Sequence, residues 1–202
     1  MNWYLQGLAG AQGQALHLLD EATALGDNPE FACPLVIPHK IRKDLALLTL
    51  EFFSTDDVLH TGQMVVHRVI AHKVERGFKY LAQARFPIAS MVPIAAYGWD
   101  DARSMAANNT SGFNYRYKMG NPDDLSRHAY GLAFDINPLW NPYCSGGIWL
   151  PEGACYDGTV PGTIARDSWV AAMWRDLGFI CGVDWEEPFD PQHFEFSLES
   201  MG

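Results

Sequence analysis

No stretch of this 202-residue chain is apolar for long enough to cross a bilayer. The longest runs, such as Leu45-Ala46-Leu47-Leu48, fall far short of the roughly 20 residues that a spanning helix needs, so no transmembrane segment is expected. Basic residues are also scarce. Fourteen Lys and Arg against 24 Asp and Glu give a formal net charge of −10, which argues against nucleic acid and anionic membrane surfaces as partners. The residues Met1 to Gly7 lack a positive segment leading into an apolar core and a small-residue cleavage site, so the sequence is expected to carry no export signal of its own. Cysteine is limited to Cys33, Cys144, Cys155 and Cys181, without the paired close spacing of a structural zinc ribbon. Low-complexity linkers and internal repeats are missing too, and a single core is the default expectation.

What is present is an ordinary globular composition, 48% hydrophobic with turn-forming Gly and Pro spread along the chain, which makes disorder an unsuitable description. Leu5, Leu8, Leu16 and Leu19 recur at near-helical spacing, interrupted by Gly7, Gly10 and Gly13, and suggest a helix up to about Leu25. Residues 28–43 hold Pro29, Pro34 and Pro38 and read as an extended connection. Leu45 to Phe53 fits a buried strand or a short helix. Val66, Val69, Ile70, Val74, Phe78 and Leu81 predict an amphipathic helix over 65–81. Phe86 to Ile94 reads as a strand or edge strand, and Asp167 to Leu177 as a helix with Gly178 at its left-handed C-terminal cap. Gly131 to Asn137 and His193 to Leu198 alternate, placing Leu132, Phe134 and Ile136, and Phe194, Phe196 and Leu198, on apolar faces. Asp135 and His193 fall on the opposite faces, so pairing the two strands in one sheet would bring them together. Helices first, then strands with an intervening helix, is the order expected of an α+β fold.

Two short stretches carry the chemistry. Ser126-Arg127-His128-Ala129-Tyr130-Gly131-Leu132-Ala133-Phe134-Asp135 and Asp190-Pro191-Gln192-His193-Phe194-Glu195 supply two imidazoles and one carboxylate, the donor count of a catalytic zinc that keeps a position free for water. His17, His39, His60, His67 and His72 belong to no motif and read as structural residues; His67 and His72 miss the i, i+4 spacing of a helical zinc pair. Ser126 lacks a nucleophile-elbow context, and its expected task is to shape the loop around His128. Glu195 shares a strand face with His193 and is placed to support it.

At these residues the chain resembles the superfamily of zinc peptidases that comprises D-alanyl-D-alanine carboxypeptidases and L-alanyl-D-glutamate endopeptidases. The pattern is Ser126-x-His128, Gly131-x-Ala133-x-Asp135, and Asp184-Trp185 leading to Asp190-x-x-His193, with weaker likeness through residues 108–116 and the helix that follows Gly62 to Val66. The ending Asp-x-x-His looks more like the endopeptidase branch. The resemblance implies an α+β fold in which a small antiparallel sheet carries the zinc site and packs with helices, as in hedgehog and DD-peptidase domains. Residues 45–202 would be the catalytic domain, and 1–44 an N-terminal helical and extended segment of unassigned role.

The resemblance further implies that His128, Asp135 and His193 bind Zn2+ and that Asp190 is the general base. It also implies that Arg116 stabilises charge on the substrate, while Trp185, Tyr130 and Ser126 contact substrate in the cleft. The implied activity is hydrolysis of an amide bond in the peptidoglycan stem peptide, at L-Ala-D-Glu. The alternatives are carboxypeptidase action on a terminal D-alanine, or a zinc-stabilised module that binds wall peptide or another protein without cutting it. Stem peptides are the implied partner and the cell wall, periplasmic or extracellular, the implied place of action. An immunity or delivery partner would follow if the chain is a secreted effector. Cys181 stands where relatives often have Trp, and the segment from Cys144 to Cys155 looks like an insertion. Its two cysteines would close as a disulfide in an oxidising compartment or stay as free thiols.

Overall fold

A computed structural model describes residues 18–198, so most of the helix expected up to Leu25 lies outside the described residues. Within them the first elements are two single-turn helices, α1 (Glu21–Ala24), capped by the Asp20 carboxylate on the Thr23 amide, and α2 (His39–Arg42). This segment is tied to the rest by a buried side chain: the Gln63 amide accepts from Leu19 N at 2.7 Å and donates to Leu19 O at 2.9 Å. Leu19, Leu25 and Ile41 join Leu45, Val65, Trp99 and Phe113 in one apolar cluster.

The ambiguous run at 45–53 is a strand. β1 (Leu45–Phe53) and β2 (Leu59–His67) pair antiparallel from Leu45 opposite His67 to Phe53 opposite Leu59. That pairing corrects the helix start expected at Val65. Val65 and Val66 lie opposite Leu47 and Ala46 within the hairpin, and the helix α3 runs over Arg68–Gln83. The hairpin's backbone hydrogen bonds claim these residues first, and His67 then caps the helix by accepting from Val69 N through Nδ1 at 3.1 Å. Because the hairpin precedes α3, the predicted order of helices before strands does not hold, although the α+β class does.

The strand expected over 86–94 shrinks to β3 (Ser90–Met91). Pro87 and Pro93 have no amide to offer a ladder, and the chain turns into a 3-10 segment at Ile94–Tyr97. Then come α4 (Asp101–Ala106) and β4 (Asn109–Thr110), the latter parallel to β3, and a second hairpin of β5 (Tyr117–Lys118) and β6 (Asn121–Leu125). β7 (Ala133–Asp135) is followed by the hairpin β8 (Tyr143–Ser145) and β9 (Ile148–Leu150). Helix α5 (Trp169–Asp176) starts with the Ser168 hydroxyl accepting from Ala171 N and ends as expected at Gly178. With φ at +91°, Gly178 donates to Arg175 O while Phe179 donates to Trp174 O, the paired bonds of a Schellman cap.

β10 (Ile180–Cys181) and β11 (His193–Glu195) complete a three-stranded antiparallel sheet in the order β10-β11-β7. Its apolar face rests on the main core. Phe134 and Phe194 stack with centroids 5.4 Å apart, and both meet the fully buried Trp174 of α5. Trp174 also packs onto α3 where Gly77 leaves room that a Cβ would fill. Beyond Glu195 the strand ends, so Leu198 is exposed and not part of the apolar face predicted for it. No helix among the described residues is long and apolar enough to cross a membrane.

Candidate metal centre

Asp135 and His193 are directly opposed residues of β7 and β11, so the period of the two strands turns both side chains away from the aromatic core and toward one another. His193 Nδ1 and Asp135 Oδ1 stand 3.1 Å apart. His128 reaches the same point from a 3-10 turn, Arg127–Tyr130, which the Ser126 hydroxyl opens by accepting from His128 N at 3.3 Å. Gly131 closes the turn with φ at +68°, where a Cβ would come within 2.6 Å of His67 N in the first hairpin. As a result His128 Nε2 lies 3.2 Å from His193 Nδ1 and 3.3 Å from Asp135 Oδ2, with all three side chains buried.

The hydrogen bonds made on the far sides of the rings decide what this cluster can hold. His128 Nδ1 must carry its proton, because it donates to the Gly112 carbonyl at 2.8 Å. His193 Nε2 donates to the Glu195 carboxylate at 3.2 Å, and that hydrogen bond, opposed by burial, keeps Glu195 below its usual range. In neutral rings with these tautomers, the inner nitrogens of both histidines present lone pairs to each other and to the Asp135 carboxylate. Three buried acceptors in contact need a cation between them. Separations of 3.1–3.3 Å suit donors about 2.1 Å from a tetrahedral ion, which would sit roughly 3.4 Å apart. The residues present therefore fit a metal ion, and among the described residues they are the group of His, Cys, Asp and Glu that could hold one.

A proton is the lesser substitute. Burial works against charge on His193, yet hydrogen bonds to Asp135 and Glu195 and the charges of Asp135 and Asp190 lift it to about 10. Burial likewise works to raise Asp135, and the neighbouring His128 and His193 outweigh it and hold the carboxyl below the ordinary value.

Next to the cluster, Asp190 is partly buried, and the burial of its carboxyl together with the charge of Asp135 pushes it up to about 6 against the pull of His193 and His128. Its Oδ1 has no hydrogen-bond partner among the described residues. Backbone contacts fix the residue. Asp190 N donates to Gly182 O, His193 N donates to Asp190 O at 3.0 Å, and Gly182 passes so close to the Asp190 carbonyl that a Cβ could not be placed there. Arg116, held by Asp101 at 3.2 Å, likewise leaves a buried Nε without a partner. Both residues line a cavity of about 240 Å3 together with His128, Asp135 and His193. Trp185 forms part of its wall, 5.4 Å from the His193 ring, and Ser126 borders it. Tyr130, two residues after His128 in the same turn and 36% exposed, is not among the residues that line the cavity.

Several contributors were not singled out in the sequence. Gly112 supplies the carbonyl that orients His128 and packs against Val65 O, where a side chain would collide. Asp101 bridges Arg116 and Asn114, and Asn114 N in turn donates to His128 O at 3.2 Å. The apparent insertion also reaches the site: Cys144 and Phe189 exchange two backbone hydrogen bonds, of 2.7 and 2.9 Å, beside Asp190. Cys33, Cys144, Cys155 and Cys181 are all free thiols in this structure.

Comparison with known proteins agrees with the geometry over part of the chain. Residues 119–196 match the model of a family described as D-alanyl-D-alanine carboxypeptidase. The resemblance to this zinc-peptidase superfamily thus holds from the second hairpin to the end of β11, a span that contains His128, Asp135, Trp185, Asp190 and His193 but not Arg116 or Asp101. Searches of curated proteins and of solved structures return no match.

Proposed function

We propose that the protein is a zinc-dependent peptidoglycan peptidase that hydrolyses an amide bond of the stem peptide, between L-alanine and D-glutamate. The observation that carries this reading is the meeting of three buried acceptors, His128 Nε2, Asp135 and His193 Nδ1, beside a buried carboxylate oxygen of Asp190 that has no partner among the described residues. His128, Asp135 and His193 would hold the ion, which when bound supplies Lewis acidity and lowers the pKa of water towards neutrality.

The chain's own residues account for the rest. Asp190, raised to about 6, is ionised at neutral pH yet basic enough to take a proton from the attacking water and pass it to the leaving amine. Arg116 presents a buried N–H to the cavity, suited to the negative charge that grows on the scissile carbonyl oxygen. Trp185 walls the cavity beside His193 and limits water around the base. Glu195 and Gly112 O hold the two rings in the tautomers that face inward.

The second reading, removal of a terminal D-alanine, is favoured by the description of the matching family, and the two differ only in the bond cut. Incubating purified peptidoglycan with the zinc-loaded protein, with and without chelator, and weighing the fragments by mass spectrometry tests both. Fragments that chelator abolishes and whose masses place the cut after L-alanine are the expected outcome. Loss of D-alanine alone would favour the second reading. Intact wall from several chemotypes, with a melting temperature that still rises on adding zinc, would point to a binding module instead.

A further inference from the structure

The cavity has a cationic edge of which the proposed chemistry uses only Arg116. Ser126 N donates to Arg116 O at 3.1 Å and Tyr117 lies opposite Leu125, so the hairpin β5–β6 returns the chain beside its start. Arg116 and Lys118, two residues apart, and Arg127, just past the returning strand, all border the cavity. Two of these charges are already answered, Arg116 by Asp101 and Lys118 by Asp124. Arg127 is different. Its side chain is exposed and makes no ion pair or hydrogen bond among the described residues. Glu195 senses its charge but spends its carboxylate on the His193 ring. An unanswered guanidinium on the residue before a metal donor, in a chain of net charge −10, is placed to attract an anionic group close to the bond being cut.

We propose that Arg127 is a specificity-determining residue that binds the α-carboxylate of the substrate residue whose amine departs. This rests on the peptidase reading. In both candidate bonds, L-Ala-D-Glu and D-Ala-D-Ala, the carbon bearing the scissile nitrogen also bears a carboxylate. That carboxylate is therefore held at a short, fixed distance from the reacting centre. A planar guanidinium engages it through paired N–H donors, while a carboxamide in the same place would meet donors with its own donors.

The test uses the full chain, zinc-loaded and carrying Asp190→Ala to suppress turnover, with binding followed by calorimetry. One probe pair is L-alanyl-γ-D-glutamyl-L-lysine and its D-glutamate α-carboxamide. The other is L-lysyl-D-alanyl-D-alanine and its C-terminal amide. The acid of one pair is expected to bind about tenfold more tightly than its amide, and the pair that shows this names the source of the carboxylate. Adding Arg127→Gln should remove the preference, and Arg127→Lys should restore part of it. Arg127→Gln that keeps the preference, or that weakens acid and amide equally, overturns the proposal, as does an acid that binds no better than its amide in both pairs. Digestion of peptidoglycan by the unaltered protein, run in parallel, tells failure of the peptidase reading from failure of the Arg127 assignment.

Discussion

Two of the antiparallel sheets in this molecule divide its labour unequally. The hairpin β1–β2 pairs nine residues with nine and carries none of the candidate chemistry, whereas the sheet β10-β11-β7 has strands of two and three residues and supplies two of the three candidate metal donors. A short sheet has too few ladder bonds to hold side chains to the tolerance that a metal site requires. Here the tolerance comes from one face and one edge. The face presents the Phe134 and Phe194 rings to Trp174, and the edge is fixed by Ser111, which exchanges backbone hydrogen bonds with Asp135. The long hairpin acts as the rigid ground on which this is built, through Val65 O receiving Phe113 N and Gly131 O receiving His67 N.

The division can be broken from either side. The largest effect is expected at the small sheet's rim: Asp190→Ala should lower kcat by about 10²–10⁴, while the circular dichroism spectrum and zinc stoichiometry stay as in the parent. Removing the aromatic floor comes next. Trp174→Ala should cost about 3–5 kcal/mol of folding stability by denaturant titration, because the ring is fully buried among Phe78, Phe134, Phe179 and Phe194. A substitution at the contact between the two regions should affect both properties at a smaller scale. Gly112→Ala meets Val65 O and should destabilise by about 1–3 kcal/mol, with zinc affinity falling about 10-fold as the His128 ring loses its carbonyl.

The smallest effect is a pH dependence. A base works only when deprotonated, so with Asp190 in the proposed role kcat should rise with pH and level off above about 6. The added positive charge of a bound ion would move that limb to lower pH. Asp56→Asn, in the turn that closes the long hairpin, should leave the profile unchanged, because its carboxylate is exposed and, among the described residues, bonds to Val58 N and His60.

What could be read from residues alone follows the same line. The period-2 runs at 131–137 and 193–198 located Asp135 and His193 on the polar faces because a half-buried strand writes its orientation into alternate residues. The opposition of these two residues across one ladder then followed from pairing. The cap at Gly178 and the helix before it were legible for the local reason that a left-handed residue ends a helix. By contrast, Val65 and Val66 fit a helical stripe equally well, and only the distant partner run at Leu45–Phe53 assigns them to a strand. Asp101 and Gly112 escaped notice because their roles exist only across the fold. An acidic residue in a first helical turn and a glycine after a serine have no pattern that announces an arginine or a histidine ring beside them. Membership of a motif does not by itself bring a residue to the cavity, and Tyr130 is not among those that line it.

The bonds between Cys144 and Phe189 have one more implication, for anyone who wishes to re-engineer the protein. They splice the β8–β9 hairpin, by sequence an optional extra, onto the strip of chain that ends in Asp190, and Ser145 and Gly146 add a second tether to Glu187. The hairpin and residues 185–190 therefore form one cassette. Grafts or deletions that respect its seams should transplant cleanly, and those that cut between its halves would release Asp190 from its station.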